Sequence, residues 1–530
     1  MLKLWRNPEF VRHLRAELRP ARVITVAFVV FFLCALIGLA CWAAQQEVLD
    51  NALHSAQQFD GKWTTYAERL QRDNARLTWL VLAKWLLGLQ GGLLTFWSLF
   101  SCAQSVTGER DRKTWDFQRT TSLTPAELLL GKLLGEPVLG YFAAICVLPV
   151  ALVAGFLGGL TVRSLAAAYL SILATALFLG LGGLWISTLL ETRSRGVGLI
   201  GALVFYGFVL GTFGFATSWF PGIAAFSPLT GLHSIFEMRF ENGRDVTAAL
   251  FGHEIPWLLM TLLLCGSFGA WFVLMLVRNL KRDYEDIRLL SRWQAVGCAA
   301  FLNFVFYALL RPAHAVGDAG SDINSRVLAT FMVCINGLIL FAIGLATLTP
   351  HERLKIWWRQ RAAGAAGLFS EDGLPWPWLA LSALVAYGLM VWGLVAWRLS
   401  LDFHVRSLGM AAVQLLIVLV FITRDVLFIQ WCTLTRLRQP IVKGVLFLSL
   451  YYGAAGVFTA IAATSSENAA RIVMSLLTPI GVFDPSMEWP HVPASIYEGL
   501  AVQIGLIAVV IVMIANRLAR PALTPITSGD

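Results

Sequence analysis

The chain has 530 residues, of which 57% are hydrophobic and only 14% are charged, with a net charge of +9 at neutral pH. Soluble domains carry about 25% charged residues, and a single soluble core stops growing at roughly 250–300 residues. One large soluble domain is therefore excluded. The eight cysteines lie in or beside apolar runs without paired spacing, so we expect buried thiols, with no disulfide framework and no metal site.

The first predicted element, residues 1–21, is a charged stretch ahead of the first long apolar run. Apolar residues fall near one helical face and basic residues on another: Leu4, Val11, Leu14 and Leu18 on the first, and Arg12, Arg15 and Arg19 on the second. This pattern predicts an amphipathic helix in the membrane interface; an ordinary basic flank is the alternative. The same charged stretch argues against a cleavable signal peptide.

Twelve segments approach the roughly 20 apolar residues that a membrane-spanning helix needs. They are residues 22–44, 77–106, 133–159, 165–190, 196–219, 256–277, 293–310, 327–348, 376–397, 408–431, 444–463 and 499–514. The sequence therefore predicts an all-α polytopic membrane protein with about twelve transmembrane helices.

Lysine and arginine concentrate in alternate gaps between these segments, as the positive-inside rule requires of cytoplasmic loops. The gap after the second segment, for example, carries Arg110, Arg112, Lys113, Arg119 and Lys132, whereas the opposite gaps are mixed or acidic. The pattern predicts a cytoplasmic (inner) membrane protein with both termini in the cytoplasm. It also accounts for the positive net charge, so no nucleic-acid partner is expected.

Two predicted cytoplasmic loops carry the same residues in register, which indicates an internal repeat. Residues 107–119 and 349–361 share Thr, Lys, Trp, Gln and Arg, and residues 192–195 are answered by residues 435–438. The common spacing predicts two parallel six-span halves, residues 22–282 and 283–530, related by a pseudo-two-fold axis along the membrane normal. Chance similarity among basic loops is the alternative.

The most informative loop, residues 108–137, is charged and aromatic and then becomes helical. Thr124 and Glu127 flank Pro125 in the pattern of a capping box, and the helix that follows is expected to continue into the third span. Ahead of it, residues 109–119 predict a short amphipathic helix at the membrane surface. Its aromatic residues would anchor in lipid or in a partner's groove, inside a polar rim: Trp115 and Phe117, with Glu109, Arg110, Lys113 and Arg119.

Residues 108–115 and 121–132 read Gly-Glu-Arg-Asp-Arg-Lys-Thr-Trp and Thr-Ser-Leu-Thr-Pro-Ala-Glu-Leu-Leu-Leu-Gly-Lys. They resemble the cytoplasmic loop of permease subunits of ATP-binding-cassette (ABC) transporters of the type-2 exporter class. In that family the loop forms a coupling helix that docks in a groove of the nucleotide-binding subunit. The resemblance would give this role to residues 109–119, and the capped helix of Thr124 and Glu127 would belong to the same loop. It implies a fused permease whose substrate is moved at the expense of ATP, with ATP and Mg²⁺ on a separate ATPase subunit present in two copies.

The second half departs from this pattern. It keeps a charged segment with four coupling candidates, Glu352, Arg353, Lys355 and Trp357, but lacks the capped helix that follows in the first half. The sequence leaves open whether the second half grips an ATPase.

One pair of ionisable residues falls inside a predicted span. Arg424 and Asp425 lie toward the cytoplasmic end of the tenth segment, where charge is costly in lipid. They would pair inside the helical bundle or line a pathway, and both readings stay open.

Motifs of nucleotide hydrolysis and of catalysis are missing from the sequence. It contains no Gly-x-x-x-x-Gly-Lys-[Ser/Thr] loop and no Gly-x-Ser-x-Gly or His-Glu-x-x-His motif. We therefore expect no enzyme and no cofactor bound by this chain. A proton-coupled secondary transporter of the major facilitator type is the alternative, because it too has two parallel six-span halves. The sequence does not identify the substrate.

Overall fold

The computed structural model describes residues 7–56, 63–189, 195–211, 225–227, 247–250, 253–282, 290–309, 322–396, 401–435, 440–480 and 494–519. The chain divides into two units, Met1–Ile287 and Arg288–Asp530. The sequence predicts the boundary between its two halves after residue 282.

Prolines open several helices of the first unit. Pro8, Pro20 and Pro125 each occupy the first helical position, where the N–H that proline lacks would have no partner in any case. The helices are α1 (Pro8–Glu17), α2 (Pro20–Ala56), α3 (Trp63–Asp111), α4 (Trp115–Thr120), α5 (Pro125–Gly135), α6 (Val138–Leu157), α7 (Val162–Leu189), α8 (Arg195–Gly211) and α9 (Trp257–Asn279).

Two helices of the first unit are much longer than the predicted spans. The 37 residues of α2 and the 49 residues of α3 correspond to about 55 and 73 Å of helix, against a hydrocarbon core of roughly 30 Å. The mixed-charge segment expected as a loop between the first two spans is therefore largely helical. Because a helix pairs its own backbone N–H and C=O groups, it can run through the lipid and continue beyond it with these groups still hydrogen-bonded.

The core of the first unit forms around α3, which packs against α6 and α7. Glycines permit this approach: a Cβ on Gly140 would lie 2.7 Å from the Cβ of Trp97, and one on Gly183 would collide with the backbone oxygen of Leu99. Small residues at such crossings let apolar helices approach closely in a membrane.

A two-stranded antiparallel hairpin precedes α9. Its strands β1 (Thr247–Leu250) and β2 (His253–Pro256) pair with Leu250 opposite His253. The all-α prediction overlooked this hairpin, because its strands have only four residues each and too short a pattern to detect.

The second unit contains eight described helices. They are α10 (Arg292–Leu309), α11 (Asp322–Ala346), α12 (His351–Ala362), α13 (Trp376–Ala396), α14 (Leu401–Thr433), α15 (Pro440–Ser465), α16 (Glu467–Leu477) and α17 (Ala494–Ala519). Between α11 and α12 the chain bends by 90°. Pro350 stands directly before α12; proline has no N–H to continue the hydrogen-bond ladder of the preceding helix.

Nine helices of the described residues are long and apolar enough to cross a membrane, or ten if the bent pair α11–α12 counts as one span. The chain is thus a polytopic α-helical membrane protein. The predicted fifth span ends outside the described residues, and the predicted seventh corresponds to α10, which is not among the nine. The predicted continuous helix into the third span is wrong: α5 ends at Gly135 and α6 begins at Val138, on either side of Pro137.

Candidate functional site

The C-terminal end of α3 is closed by a Schellman motif. The N–H of Thr114 donates to the backbone oxygen of Glu109, and the N–H of Lys113 to that of Arg110, both at 3.0 Å. Lys113 takes the left-handed conformation, with φ of +59°, which glycine usually occupies at this place. A strained conformation of this kind persists only where the surrounding structure fixes it.

The residues after this turn form α4, whose two faces differ sharply. Trp115 is buried, 5% exposed, among side chains of α3, α5, α7 and α9, whereas Phe117 is 76% exposed. The guanidinium of Arg110 lies 5.9 Å from the centre of the Trp115 ring and donates to the backbone oxygen of Thr188 at 3.2 Å. Trp115 is therefore an anchor of the fold, and Phe117 is the aromatic residue that a partner can reach.

The predicted single amphipathic helix over residues 109–119 is wrong in geometry. Glu109 lies in the last turn of α3 and is 7% exposed, so it lies inside the unit and not on the rim of a contact. Lys113 is exposed and Arg110 is half-buried, while the side chain of Arg119 lies outside the described residues. The left-handed turn at Lys113 divides the segment into two helices.

The predicted capping box opens α5. The Oγ1 of Thr124 accepts from the backbone N–H of Glu127 at 3.3 Å, and the Glu127 carboxylate accepts from the N–H of Thr124 at 2.9 Å. These hydrogen bonds lower the pKa of Glu127, the backbone bond to Thr124 being the largest cause. We call residues 108–135, from the end of α3 to the end of α5, the first elbow.

A buried ion-pair network holds the first elbow together. The Nζ of Lys132, on α5, has no exposed surface and lies 2.5 Å from Oε2 of Glu109. The other carboxylate oxygen of Glu109 accepts from Gln118 of α4 and from Arg12 of α1, both at 2.6 Å. One carboxylate thus joins α1, α3, α4 and α5, and charge-assisted hydrogen bonds of this kind are stronger than neutral ones.

Helix α1 lies directly on α5. A Cβ on Gly131 would be 2.8 Å from the Cβ of Glu9, and one on Gly135 would be 3.0 Å from that of His13. Asn7 caps α1 and also donates to the backbone oxygen of Glu127 at 2.7 Å. The sequence predicts an interfacial helix over residues 1–21; within the described residues the helix covers Pro8–Glu17, and its polar face is bound to the first elbow.

Glu9 brings a second carboxylate into the network. Its Oε1 lies 2.7 Å from Arg12, 3.2 Å from His13 and 3.4 Å from Lys132. Burial alone would raise the pKa of Glu9, but the hydrogen bond with His13 and the charges of Lys132 and Arg12 outweigh it and lower the pKa from 4.5 to about 2. The carboxylate is therefore ionised at neutral pH. Burial alone would lower the pKa of Arg12, but the hydrogen bond with Glu109 and the charge of Glu9 outweigh burial and raise it.

Glu9, His13 and Glu109 bring ligand-type atoms within 4.8 Å of one another, a spacing that a metal ion could use. The sequence predicts no metal here. The oxygens of both carboxylates already face the cations Lys132 and Arg12, so the arrangement of the described side chains is that of an ion-pair network.

The second unit has a comparable bend, the second elbow, over residues 347–373. Trp357 of α12 is buried, 2% exposed, among side chains of α14 and α17, and the guanidinium of Arg361 lies 5.7 Å from its ring centre. Arg292 fixes the turn by donating to Thr349 Oγ1 and to the backbone oxygen of Gly373, both at 2.7 Å. Of the predicted coupling residues, Glu352 is exposed, Arg353 and Lys355 are half-buried, and Trp357 faces inward.

The predicted intramembrane residues Arg424 and Asp425 lie side by side in α14. Both are buried, and the guanidinium donates to Asp425 Oδ1 through Nε at 2.8 Å and Nη2 at 2.6 Å.

Sequence reasoning missed most of the ion-pair network. It placed Lys132 among the loop charges and did not single out Glu9 within the predicted interfacial helix over residues 1–21. The signal that was available is local: Asn7, Pro8 and Glu9 are a helix cap, a first-turn proline and a first-turn acid. The pairing of Glu9 and Glu109 with Lys132 depends on tertiary contacts, which no local pattern encodes.

The first unit, with its capped elbow and its bundle of apolar helices, can be compared with known families. Residues 10–237 match the family model described as ABC-2 type transporter. Comparison with curated proteins and with solved structures gives no match, and nothing found supports a major facilitator. The first unit therefore resembles an ABC-2 type transporter membrane domain over residues 10–237. This similarity supports a permease of the ABC type, and the chain is a multi-pass membrane protein.

Proposed function

We propose that the chain is the membrane-spanning subunit of an exporter and that its first elbow receives the force of ATP hydrolysis from a separate ATPase subunit. The exposed ring of Phe117 carries this proposal. It projects from a short helix whose opposite face is buried: Trp115 packs among apolar side chains, and Gln118 donates to Glu109. An exposed apolar anchor on a rigid support is the usual centre of a protein–protein contact.

Force applied at Phe117 has a direct route into the membrane helices. Gln118 contacts Glu109 at the end of α3, and Glu109 contacts Lys132 on α5. From α5 the chain passes through the break at Pro137 into α6. Because the connecting groups are buried and ion-paired, the first elbow would move as one piece, with α1 attached.

The fused layout of two six-span halves, with two ATPase copies, belongs to the same proposal. Its support is that each elbow buries one tryptophan, Trp115 or Trp357, beneath an arginine. In the first unit Ser187 Oγ accepts from the N–H of Thr107 at 3.1 Å, and in the second Gln430 Oε1 accepts from the N–H of Thr349 at 2.9 Å. These contacts recur at the spacing of the sequence repeat.

The exposed surface of the second elbow differs from that of the first, so we expect the two elbows to bind their ATPase copies with unequal affinity. Ile356 is 55% exposed on α12, beside the exposed Glu352 and Arg359. We propose that this face is the second, weaker docking site. Alternating access of the two halves would then move a substrate out of the cytoplasm, with ATP and Mg²⁺ bound only by the partner.

The test is copurification with the ABC ATPase encoded nearest to this chain, followed by vanadate-sensitive ATP hydrolysis in liposomes. Phe117→Ala should abolish stable association while leaving the permease folded, because the side chain is largely solvent-exposed. Phe156→Ala is the matched control: Phe156 is also exposed, at 51%, at the far end of α6, and its loss should change neither association nor hydrolysis. If Phe117→Ala and the control behave alike, or if a proton gradient alone drives transport, the proposal fails.

A further inference from the structure

Helices α15 and α16 form a hairpin whose second helix is too short to span a membrane. Helix α15 ends at Ser465, and Ser466 is the cap of α16, its Oγ accepting from the N–H of Ala469 at 3.1 Å. The two helices pack against each other. The 11 residues of α16 rise about 16 Å, roughly half of a hydrocarbon core, so its carboxyl end would stop near the middle of the bilayer.

A helix that ends in lipid must find donors for its last carbonyl groups. Here Gln503 of α17 donates to the backbone oxygen of Leu476 at 2.7 Å, and Tyr451 of α15 donates to that of Leu477 at 2.9 Å. The close approach requires glycine on α17, because a Cβ on Gly499 would lie 2.5 Å from the backbone oxygen of Ser475. The inner end of the hairpin is therefore closed by two side chains.

The same two side chains are held by Arg424. Its Nη1 donates to Gln503 Oε1 at 2.6 Å and to the Tyr451 hydroxyl at 3.1 Å, and its Nη2 also donates to the Tyr452 hydroxyl at 3.0 Å. With the bonds to Asp425, these contacts engage all three guanidinium nitrogens. Tyr452 donates in turn to Asp425 Oδ2 at 2.5 Å. Arg424 and Asp425 pair within one hydrogen-bonded cluster, so their opposite charges offset each other and the cluster carries no net charge to attract an anionic substrate.

We propose that Arg424 and Asp425 are positioning residues that lock the inner end of the α15–α16 hairpin, and that the hairpin must be released from this lock during the transport cycle. The release step rests on the proposed function. At the spacing of the sequence repeat these residues correspond to Leu181 and Gly182, so the charge pair distinguishes the second unit. Because the first unit carries no charge at these two positions, the proposed lock would act on the second half alone.

Cysteine accessibility tests the lock without any ATPase. Thr478, the residue after α16, is 4% exposed; Thr478→Cys is placed in a chain whose eight native cysteines are replaced by alanine, and the rate of N-ethylmaleimide labelling is measured in membranes. Tyr451→Phe removes one closing bond and should speed labelling about fivefold, the factor expected for one ordinary hydrogen bond in an opening equilibrium. Ser465→Cys, at the exposed turn, should label equally in every variant.

Arg424→Gln should accelerate labelling more than Tyr451→Phe, and Arg424→Lys should restore part of the protection. Because Arg424→Gln leaves a buried carboxylate without its cation, the double variant Arg424→Leu/Asp425→Leu removes both charges and is less damaging to the fold; it should also label fast. Unchanged labelling in both Tyr451→Phe and the double variant would overturn the lock.

The release step is tested with the ATPase complex. Adding ATP to the complex of the Thr478→Cys chain, in the same background without native cysteines and with no lock residue changed, should speed labelling at least threefold, and trapping with vanadate should hold the new rate. If ATP is hydrolysed and substrate moves with no change at residue 478, the release step is wrong. If no ATPase associates, the proposed function fails while the labelling of the permease alone still decides the lock.

Discussion

The two elbows of this chain solve the same problem with different residues. In the first, α3 runs on until the left-handed Lys113 ends it, and an ion-paired carboxylate, Glu109, lies inside the last turn. In the second, the preceding helix ends earlier, at Ala346, and Arg292 bonded to Thr349 fixes the turn. Both bury one tryptophan and expose apolar side chains, which are Phe117 in the first and Ile356, Leu368 and Phe369 in the second.

The comparison separates the features that the two elbows share from those that differ. The buried tryptophan and the exposed apolar residue are common to both elbows, although the residues that fix the turn have changed. The capped helix α5 and the docked α1 belong only to the first elbow among the described residues. We infer that a rigid bend with an outward apolar anchor is the shared requirement, and that the ion-pair network is an addition for carrying load.

The largest effects should come from the two tryptophans. Trp115→Ala and Trp357→Ala each remove a buried ring and should cost roughly 3–5 kcal/mol of stability in their own unit. Thermal unfolding of the detergent-solubilised protein, with limited proteolysis to assign the unit that opens, measures this. If neither change lowers the stability of its unit, the tryptophans do not hold the elbows.

Lys132→Met should destabilise the first unit by roughly 3–5 kcal/mol, because it leaves Glu109 and Glu9 without their buried cation. The double variant Lys132→Met/Glu109→Leu should recover much of the loss. Lys281→Met is the control: Lys281 is half-buried and donates only to the backbone oxygen of Thr121 among its described contacts, so about 1 kcal/mol should be lost. A thermal shift as large in the control as in Lys132→Met would contradict the network.

Glu9 makes the attachment of α1 sensitive to acid. Since its pKa is lowered from 4.5 to about 2, its contribution is complete above pH 4.5 and is lost as the pH falls toward 2; two and a half pKa units correspond to up to about 3 kcal/mol. The stability difference between the wild-type protein and Glu9→Gln should therefore shrink over this range. A difference that does not depend on pH would show that ionisation of Glu9 plays no part.

The smallest effects concern the two left-handed residues. Lys113→Gly should stabilise the first unit by about 0.5–1 kcal/mol, since glycine adopts this conformation without strain. Gly364 closes α12 with φ of +75° and has open space around its missing Cβ, so Gly364→Ala should cost about 1 kcal/mol through the backbone alone. In thermal unfolding, Lys113→Gly should raise the melting temperature and Gly364→Ala should lower it. Shifts of the same sign would contradict the left-handed conformation of one of the two residues.

Local patterns predicted the membrane class and the capping box well. Apolar runs about 20 residues long reflect the thickness of the bilayer, and Thr124 with Glu127 is a capping signal within four residues of chain. The orientation of Trp115 could not be predicted in this way. On a short helix either aromatic face could point outward, and the choice depends on α5, α7 and α9 meeting behind α4. The burial of Glu109 was hidden for the same reason, since its partners lie on three other helices.

We propose above that a separate ATPase contacts the first elbow at Phe117. A photo-reactive benzoyl-phenylalanine at position 117, in the permease purified with its ATPase, tests this directly. We expect a cross-link to the ATPase at position 117, a weaker one at position 356, and none at position 156. Cross-links to lipid alone at position 117, with the ATPase present and active, would contradict it.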